Sequence, residues 1–263
     1  MKKETLLLTP GPTPIPETVR RAMAQPLCHH RTEHFRTIVE DVVGQLRRIL
    51  QTEQDVFLIS SSGTGAMEAA FVNIVSPGDE VIIVDGGKFG HRFCDFATAY
   101  GITAHVVTVP WGATVDPAAI RVLIEQYPRS KAVFTTLCET STGVCFPIRE
   151  VAAVVRETDA LLVVDAISGL AADVLMTDTW GVDVVIAGSQ KALMTPPGLG
   201  IISVSEKAWP VIEQAQSPRF YFDLRRYRDG LVTYDTPFTP ATTLVLGLQA
   251  AGECILAEGM ESV

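Results

Sequence analysis

Short apolar runs separated by longer amphipathic stretches dominate the chain from residue 55 onward. Seven runs of five or six residues predict strands: 56–60, 80–85, 105–109, 132–136, 161–165, 182–187 and 200–204. The stretches between them that predict helices are 65–75, 93–100, 117–126 and 148–158. Most of these strands are apolar throughout, which indicates burial on both faces. Strands of this kind alternating with helices predict an α/β domain around a mostly parallel sheet.

The segment before residue 55 has a different pattern. Residues 9–16 contain four prolines, which disfavour both a helix and a central strand, so an extended arm is predicted there. Two helices are predicted next, at 17–23 and 36–50. In the second helix Ile38, Val42, Leu46 and Ile49 recur at the spacing of one apolar face.

Composition narrows the possible functions. With 263 residues, 47% of them hydrophobic, the chain can bury a large core. A net charge of −9 argues against nucleic acid or an anionic membrane as a partner. We find no apolar segment of about 20 residues and no secretory signal, so a cytoplasmic protein is expected. The five cysteines form no CxxC pair, which predicts reduced thiols rather than a disulfide framework or a metal site.

A small-residue turn follows the first predicted strand. In a parallel sheet, ligands bind beyond the carboxyl ends of the strands, so residues at these ends are the first candidates for a site. Ser62, Gly63 and Thr64 open a predicted helix, and the backbone N–H groups of such a turn can bind an anion. The turn lacks the Lys-Ser/Thr ending of a P-loop, which argues against a nucleotide triphosphate. A purely structural turn is the alternative.

Three further strand ends carry residues that could bind a ligand or take part in catalysis. Asp165 closes the strand 161–165, and a buried carboxylate there needs a partner, either a structural one or a protonated ring nitrogen. Lys191 follows the strand 182–187, where partial burial would favour the free amine that attacks an aldehyde; an exposed loop lysine is the alternative. Phe89, between glycines, can stack on a planar cofactor or fill the core. An anion-binding turn, a ring, a carboxylate and an amine are together what pyridoxal phosphate requires.

Five motifs resemble the class V aminotransferases, in the branch of alanine–glyoxylate and serine–pyruvate or serine–glyoxylate enzymes. They are Pro-Gly-Pro-Thr at 10–13, Ser-Gly-Thr-Gly-Ala-Met-Glu at 62–68, Glu-Thr-Ser-Thr-Gly-Val at 139–144, Val-Asp-Ala at 164–166 and Gly-Ser-Gln-Lys-Ala at 188–192 with Pro-Pro-Gly at 196–198. Residues 219–221 and 237–240 are also similar to cyanobacterial members that carry a soluble hydrogenase subunit label.

The resemblance implies a role for each residue around the cofactor ring. Lys191 would hold pyridoxal phosphate as a Schiff base and then act as the catalytic base that moves the proton. Asp165 would keep the pyridine nitrogen protonated. Phe89 would stack on the ring where relatives often have Trp, Ile167 would pack beneath it, and Thr140 would reach its phenolic oxygen.

The resemblance also implies ligands for the phosphate and the substrate. The phosphate ligands would be Ser62, Gly63, Thr64 and Gln190. A threonine of the neighbouring subunit would complete this group, and Thr239 is the expected match, with Thr236 as the alternative. Gly11 would lie near the substrate. The implied assembly is a homodimer with a shared active site, and no metal is expected.

The fold implied is the three-layer sandwich of the large domain of fold type I enzymes. We expect an N-terminal arm at 1–22, a cofactor-binding large domain at 23–240 and a helix at 241–263. Family members continue into a smaller C-terminal domain whose arginine grips the substrate carboxylate, and this sequence stops at Val263.

The implied reaction is transamination between alanine or serine and glyoxylate or pyruvate. Two alternatives stay open. One is a 2-aminoethylphosphonate–pyruvate transaminase, which shares the large domain. The other is a non-catalytic remnant that binds the cofactor or a partner, which is the possibility that the stop at Val263 raises. A cysteine desulfurase is disfavoured, because those relatives generally carry His where this chain has Gln190.

Overall fold

A seven-stranded, mostly parallel sheet organises the protein, whose computed structural model describes residues 7–260. The strands are β1 (Asp55–Ile59), β2 (Glu80–Asp85), β3 (Thr103–Thr108), β4 (Ala132–Thr136), β5 (Cys138–Glu139), β6 (Val144–Cys145), β7 (Leu161–Asp165), β8 (Val184–Gly188) and β9 (Gly200–Val204). The helices are α1 (Glu17–Met23), α2 (Glu33–Leu50), α3 (Gly63–Ile74), α4 (Lys88–Tyr100), α5 (Pro117–Gln126), α6 (Ile148–Val155), α7 (Thr177–Trp180), α8 (Trp209–Gln214), α9 (Leu224–Leu231) and α10 (Thr242–Glu258).

The strand order in the large sheet is β1-β9-β8-β7-β4-β2-β3. Strand β9 is antiparallel to both of its neighbours, and the remaining pairs are parallel. The α/β class and the mostly parallel sheet predicted from the sequence are therefore confirmed. Strands β5 and β6, which the sequence analysis did not predict, form a separate hairpin between β4 and α6.

Alternate residues of each strand point into two different cores, one on each face of the sheet. In β2, Ile82 and Val84 pack with helices α2, α5, α6 and α10. Val81 and Ile83 of the same strand pack with helices α3, α4, α8 and α9 on the other face. This period of two explains why the strands are apolar at nearly every position. The three-layer sandwich is confirmed.

Helices α2 and α4 begin earlier than predicted by the most residues, three and five, each for a reason outside the apolar pattern. Helix α2 begins at Glu33 because Thr32 caps it, accepting a hydrogen bond from the Phe35 N–H at 3.4 Å. Helix α4 begins at Lys88 rather than 93, although Gly87 before it has no capping side chain. A carboxylate from the β5–β6 hairpin replaces the cap, as described below.

The two ends of the described chain pack together. Helix α10 lies against both α1 and α2, and its residues Val245, Leu248 and Ile255 are buried. The domain division at residues 22 and 240 stays a prediction. Among residues 7–260, no helix is long and apolar enough to cross a membrane.

Candidate active site

A cavity of about 300 Å³ opens where the carboxyl ends of β1, β2, β4, β7 and β8 meet. Each of these strands leads into a segment that contributes side chains to the cavity wall. The predicted site residues that line it are Gly11, Ser62, Gly63, Thr64, Phe89, Thr140, Asp165, Ile167, Gln190 and Lys191. The structure thus brings together residues that are up to 180 positions apart in sequence.

A rigid loop after β8 positions Lys191. The buried hydroxyl of Ser189 donates to the carbonyl of Pro196 at 2.7 Å and accepts from the N–H of Leu199 at 3.2 Å. The Thr195 N–H closes the loop by donating to the Ser189 carbonyl at 2.9 Å. Because both ends of the loop are tied at Ser189, the backbone of Lys191 is fixed beside the cavity.

The N-terminal arm, predicted to be extended, crosses this loop. Thr13 donates its N–H to the Gln190 carbonyl at 3.1 Å and its hydroxyl to the Lys191 carbonyl at 2.8 Å. Gly11 lies so close to the lysine that a Cβ there would be 2.5 Å from Lys191 Cδ and 3.0 Å from Nζ. A side chain at residue 11 would therefore push the end of the Lys191 side chain aside, whereas glycine leaves it in place.

Lys191 and Asp165 are electrostatically unusual. Burial lowers the pKa of Lys191 below its usual 10.5, against the attraction of the Asp165 and Cys138 charges. Burial likewise raises the pKa of Asp165 to about 7, although the Ile167 N–H donates to its Oδ1 at 2.8 Å. Within residues 7–260 we find no donor to the other oxygen, Oδ2. The carboxylate is thus poorly compensated and can accept a cation or an N–H from the cavity.

The N-terminus of α3 forms one wall. Ser62 caps the helix by accepting from the Gly65 N–H at 3.3 Å. The N–H groups of Gly63 and Thr64, at the start of the helix, have no intrahelical partners. A Cβ on Gly63 would lie 2.6 Å from Cδ1 of Ile167, so only glycine lets the two segments approach. The helix end presents partial positive charge and N–H donors to the cavity, the combination that binds phosphate.

The first turn of α4 carries Phe89, which lies before the helix predicted at 93–100. The fully buried carboxylate of Glu139 accepts from the Phe89 N–H at 3.1 Å and from the Gly90 N–H at 2.9 Å. Ser141 adds its hydroxyl as acceptor for the Lys88 N–H at 3.0 Å. A negative charge on the free N–H groups of a helix stabilises that end. The hairpin thereby fixes where α4 begins and where Phe89 lies.

Two cavity residues escaped the sequence analysis. Arg92 donates to the Thr64 hydroxyl at 3.1 Å, and its guanidinium lies 4.9 Å from the centroid of the Phe89 ring. It lies one helical turn after Phe89, a spacing that becomes informative only once α4 is known to begin at Lys88. Ser168 contacts Thr140 through a short hydroxyl–hydroxyl hydrogen bond. No pattern in the sequence indicated Ser168.

A larger cavity, about 650 Å³, lies at the opposite edge of the sheet beside Glu80, Thr103 and Lys131. It is lined by residues at the amino ends of β2, β3 and β4. The smaller cavity is the candidate active site because its lining combines an amine of lowered pKa, a buried carboxylate and a free helix N-terminus.

Comparison with known proteins agrees with this geometry. The family model for aminotransferase class V matches residues 5–263. The chain belongs to the class V aminotransferases. The soluble hydrogenase small subunit of Synechococcus sp. is 39% identical, with 100% of this chain and 69% of that protein covered. The L-aspartate–glyoxylate aminotransferase of Paracoccus denitrificans is 38% identical, with 100% of this chain and 68% of that protein covered. The crystal structure of alanine–glyoxylate aminotransferase from Nostoc sp. superposes with a TM-score of 0.94 at 30% identity, covering 100% of this chain and 71% of that one.

Class V aminotransferases are pyridoxal-phosphate-dependent enzymes, and this cavity fits that cofactor. Oε1 of Gln190 is buried without a hydrogen-bond partner in the described part of the chain, so it can accept from a bound group. The buried Asp165 carboxylate lines the same cavity as Lys191. Unpartnered polar atoms of this kind are costly unless a ligand engages them.

Thr239 lies outside the cavity of its own chain. Its side chain is exposed, whereas Thr236 is half-buried and has a buried hydroxyl without a partner among residues 7–260. The backbone carbonyl of Thr236 accepts from Arg31 at 2.6 Å, which fixes this segment beside the ion pair of Arg31 and Asp235. The expectation that Thr239 or Thr236 serves a neighbouring subunit of the aminotransferase stays a prediction.

Proposed function

We propose that this chain catalyses transamination between a small amino acid, alanine or serine, and a 2-oxo acid, glyoxylate or pyruvate, with pyridoxal phosphate held at Lys191. The observation that carries the proposal is that the Lys191 amine and the buried Asp165 carboxylate face one cavity beside the N-terminus of α3. Glyoxylate is named in the descriptions of two similar proteins, which favours it as the acceptor.

Lys191 has two tasks in this proposal. As a free amine it would hold the cofactor, and it would also be the base that moves a proton at the substrate carbon. Its lowered pKa increases the fraction with a free lone pair near neutral pH, which both tasks require. The tied loop and the arm across it keep the amine within reach of the cavity.

When bound, pyridoxal phosphate supplies the electron sink for the carbanion that proton removal leaves on the substrate. Asp165 contributes the carboxylate that favours a protonated ring nitrogen, and the Ile167 N–H orients it through Oδ1. Phe89 and Ile167 offer apolar contact surfaces for a planar ring. The Thr140 hydroxyl, which contacts the Ser168 hydroxyl, would bind the ring's phenolic oxygen.

The phosphate is assigned to the wall formed by α3. Ser62, Gly63 and Thr64 supply hydroxyl and N–H donors there, and Gln190 adds its side-chain amide. Arg92 supports this wall by holding the Thr64 hydroxyl. A second copy of the chain would add Thr239, or Thr236, so the proposal includes a homodimer. Sedimentation at micromolar concentration tests it, since a monomer that still binds cofactor would contradict a shared site.

The cofactor claim is tested by adding pyridoxal phosphate to the purified chain and recording the absorbance band of the lysine-bound cofactor. Borohydride reduction followed by peptide mass mapping should place the label on Lys191. Lys191→Ala should abolish the band and the label. Lys88→Ala is the matched control, because Lys88 is an exposed lysine at the start of α4 and should change neither.

The reaction claim is tested on the cofactor-loaded protein. L-alanine and L-serine should convert the band, and glyoxylate or pyruvate should restore it with formation of the new amino acid. Conversion by 2-aminoethylphosphonate alone would move the assignment to that group of transaminases. A band that forms normally yet ignores every donor would refute transamination by this chain and leave cofactor binding intact.

A further inference from the structure

Two cysteines lie directly opposite each other in the β5–β6 hairpin, where Cys138 pairs with Cys145. The Phe146 N–H donates to the Leu137 carbonyl at 2.8 Å, so residues 137 and 146 form a hydrogen-bonded pair. The next pair inward, Cys138 and Cys145, is therefore a non-hydrogen-bonded pair, in which opposing Cα atoms lie about 4.5 Å apart. Disulfides span Cα separations of about 4.4–6.8 Å, so the backbone is already placed for a bond.

Exposure and acidity distinguish the two thiols. Both thiols are free, that of Cys145 is exposed, and that of Cys138 is half-buried. Burial, the Asp173 carboxylate and the Cys138 thiol together raise the pKa of Cys145 to about 12, which disfavours the Cys145 thiolate. Cys138 is consequently the first nucleophile and Cys145 the resolving thiol.

We propose that Cys138 and Cys145 form a modification site: a dithiol that small disulfides of the glutathione class oxidise reversibly to an intramolecular disulfide. The Cys138 thiolate attacks one sulfur of the oxidant and releases one thiolate, leaving a mixed disulfide. Cys145 then loses its proton to the released thiolate and attacks Cys138 Sγ, releasing the second. Two protein thiols and one small disulfide become one protein disulfide and two small thiols.

The bond would brace the part of the hairpin that supports the candidate active site. Glu139, next to Cys138, holds the first turn of α4, and Thr140 lines the cavity. Neither cysteine lines the cavity, so the disulfide closes no space that a ligand needs. The expected consequence is a hairpin that resists unfolding more strongly, since a cross-link restricts the unfolded chain.

The test is a thiol count on the full chain after incubation with glutathione disulfide. The number of titratable thiols in denaturant should fall from five to three, and dithiothreitol should restore it. Peptide mapping should recover residues 138 and 145 in one cross-linked species. Cys138→Ser and Cys145→Ser should each lose this cross-link. Cys94→Ser is the matched control, because it removes another half-buried cysteine and should still lose two thiols on oxidation.

Several results would overturn the proposal. One is that all five thiols remain titratable even after treatment with the stronger oxidant diamide. Another is that a glutathione adduct stays on Cys138. The third is a disulfide between two chains or between other cysteines. Thermal unfolding gives a second readout. The oxidised protein should melt a few degrees higher than the reduced one, and Cys145→Ser, an exposed and nearly isosteric change, should remove that difference. An equal difference in the variant would contradict the assignment.

Discussion

Replacing Asp165 by Asn should stabilise the cofactor-free protein at alkaline pH while it damages the cofactor site. Burial raises the pKa of Asp165 from its usual 3.8 to about 7. Between these two values the folded protein binds a proton that the unfolded chain has released, so stability falls as the pH rises. A tenfold change in an ionisation constant is worth about 1.4 kcal/mol, so the full penalty above pH 7 reaches about 4 kcal/mol.

The measurement is urea unfolding of the cofactor-free wild type and of Asp165→Asn at about pH 5 and about pH 8. Subtracting the two proteins at each pH cancels the contributions of all other titrating groups. The wild type should lose about 3 kcal/mol relative to the variant between these pH values, because part of the penalty is already present at the lower one. Added pyridoxal phosphate should recover this loss in the wild type and much less in Asp165→Asn.

Asp223→Asn is a control, because the pKa of Asp223 is shifted in the opposite direction to that of Asp165. Burial acts to raise the pKa of Asp223, but hydrogen bonds and charge from Arg225 lower it overall. Its contribution to stability is therefore present above the unfolded pKa and is lost as the pH falls, so this variant should be less stable than the wild type at about pH 8. An identical pH dependence for the wild type and Asp165→Asn would refute the claim that Asp165 is a poorly compensated buried carboxylate.

Three further changes probe how the site is held. Gly11→Ala should weaken cofactor loading, measured by absorbance titration, without unfolding the protein by circular dichroism, because the new Cβ would collide with Lys191; normal loading would contradict the crossing described for the arm. Glu139→Gln should cost about 1–3 kcal/mol in urea unfolding, since the buried acceptor of the Phe89 N–H loses its charge; no change would show that this cap does not set the start of α4. Arg92→Met should weaken cofactor affinity about tenfold or less, the worth of roughly one hydrogen bond, and an unchanged Kd would exclude its supporting role.

The seven strands of the large sheet could be predicted because each is a run of apolar residues. Such a run is all that a strand buried on both faces requires, so the sequence shows it directly. Lys191 and Asp165 were visible for a related reason, since a polar residue directly after such a run must lie at the edge of the sheet where ligands bind. Their placement around one cavity follows from strand direction.

The features that escaped prediction depend on contacts between distant segments. The start of α4 depends on the Glu139 carboxylate, which lies about fifty residues further along the chain. Without that start, Arg92 could not be placed one turn beyond Phe89. Cys138 and Cys145 gave no signal because they lack CxxC spacing, and the two-residue strands that pair them are too short to predict. The hairpin nevertheless places these two free cysteines opposite each other.

Two buried aspartates lie at opposite ends of the neighbouring strands β7 and β8. Their hydrogen bonds distinguish a structural carboxylate from one that is available to a ligand. Asp183, just before β8, accepts from the Leu162 N–H at 2.9 Å and the Ser205 hydroxyl at 3.0 Å, with the Lys207 amine 3.5 Å away. Asp165 lies at the other end of the adjacent strand β7, and within the described residues 7–260 its carboxylate accepts a hydrogen bond from the Ile167 N–H alone. Folding alone gives no reason to leave a buried carboxylate so poorly paired beside an amine of lowered pKa. The missing partner is best explained as a ligand, and the cavity that Asp165 shares with Lys191 is where that ligand would bind.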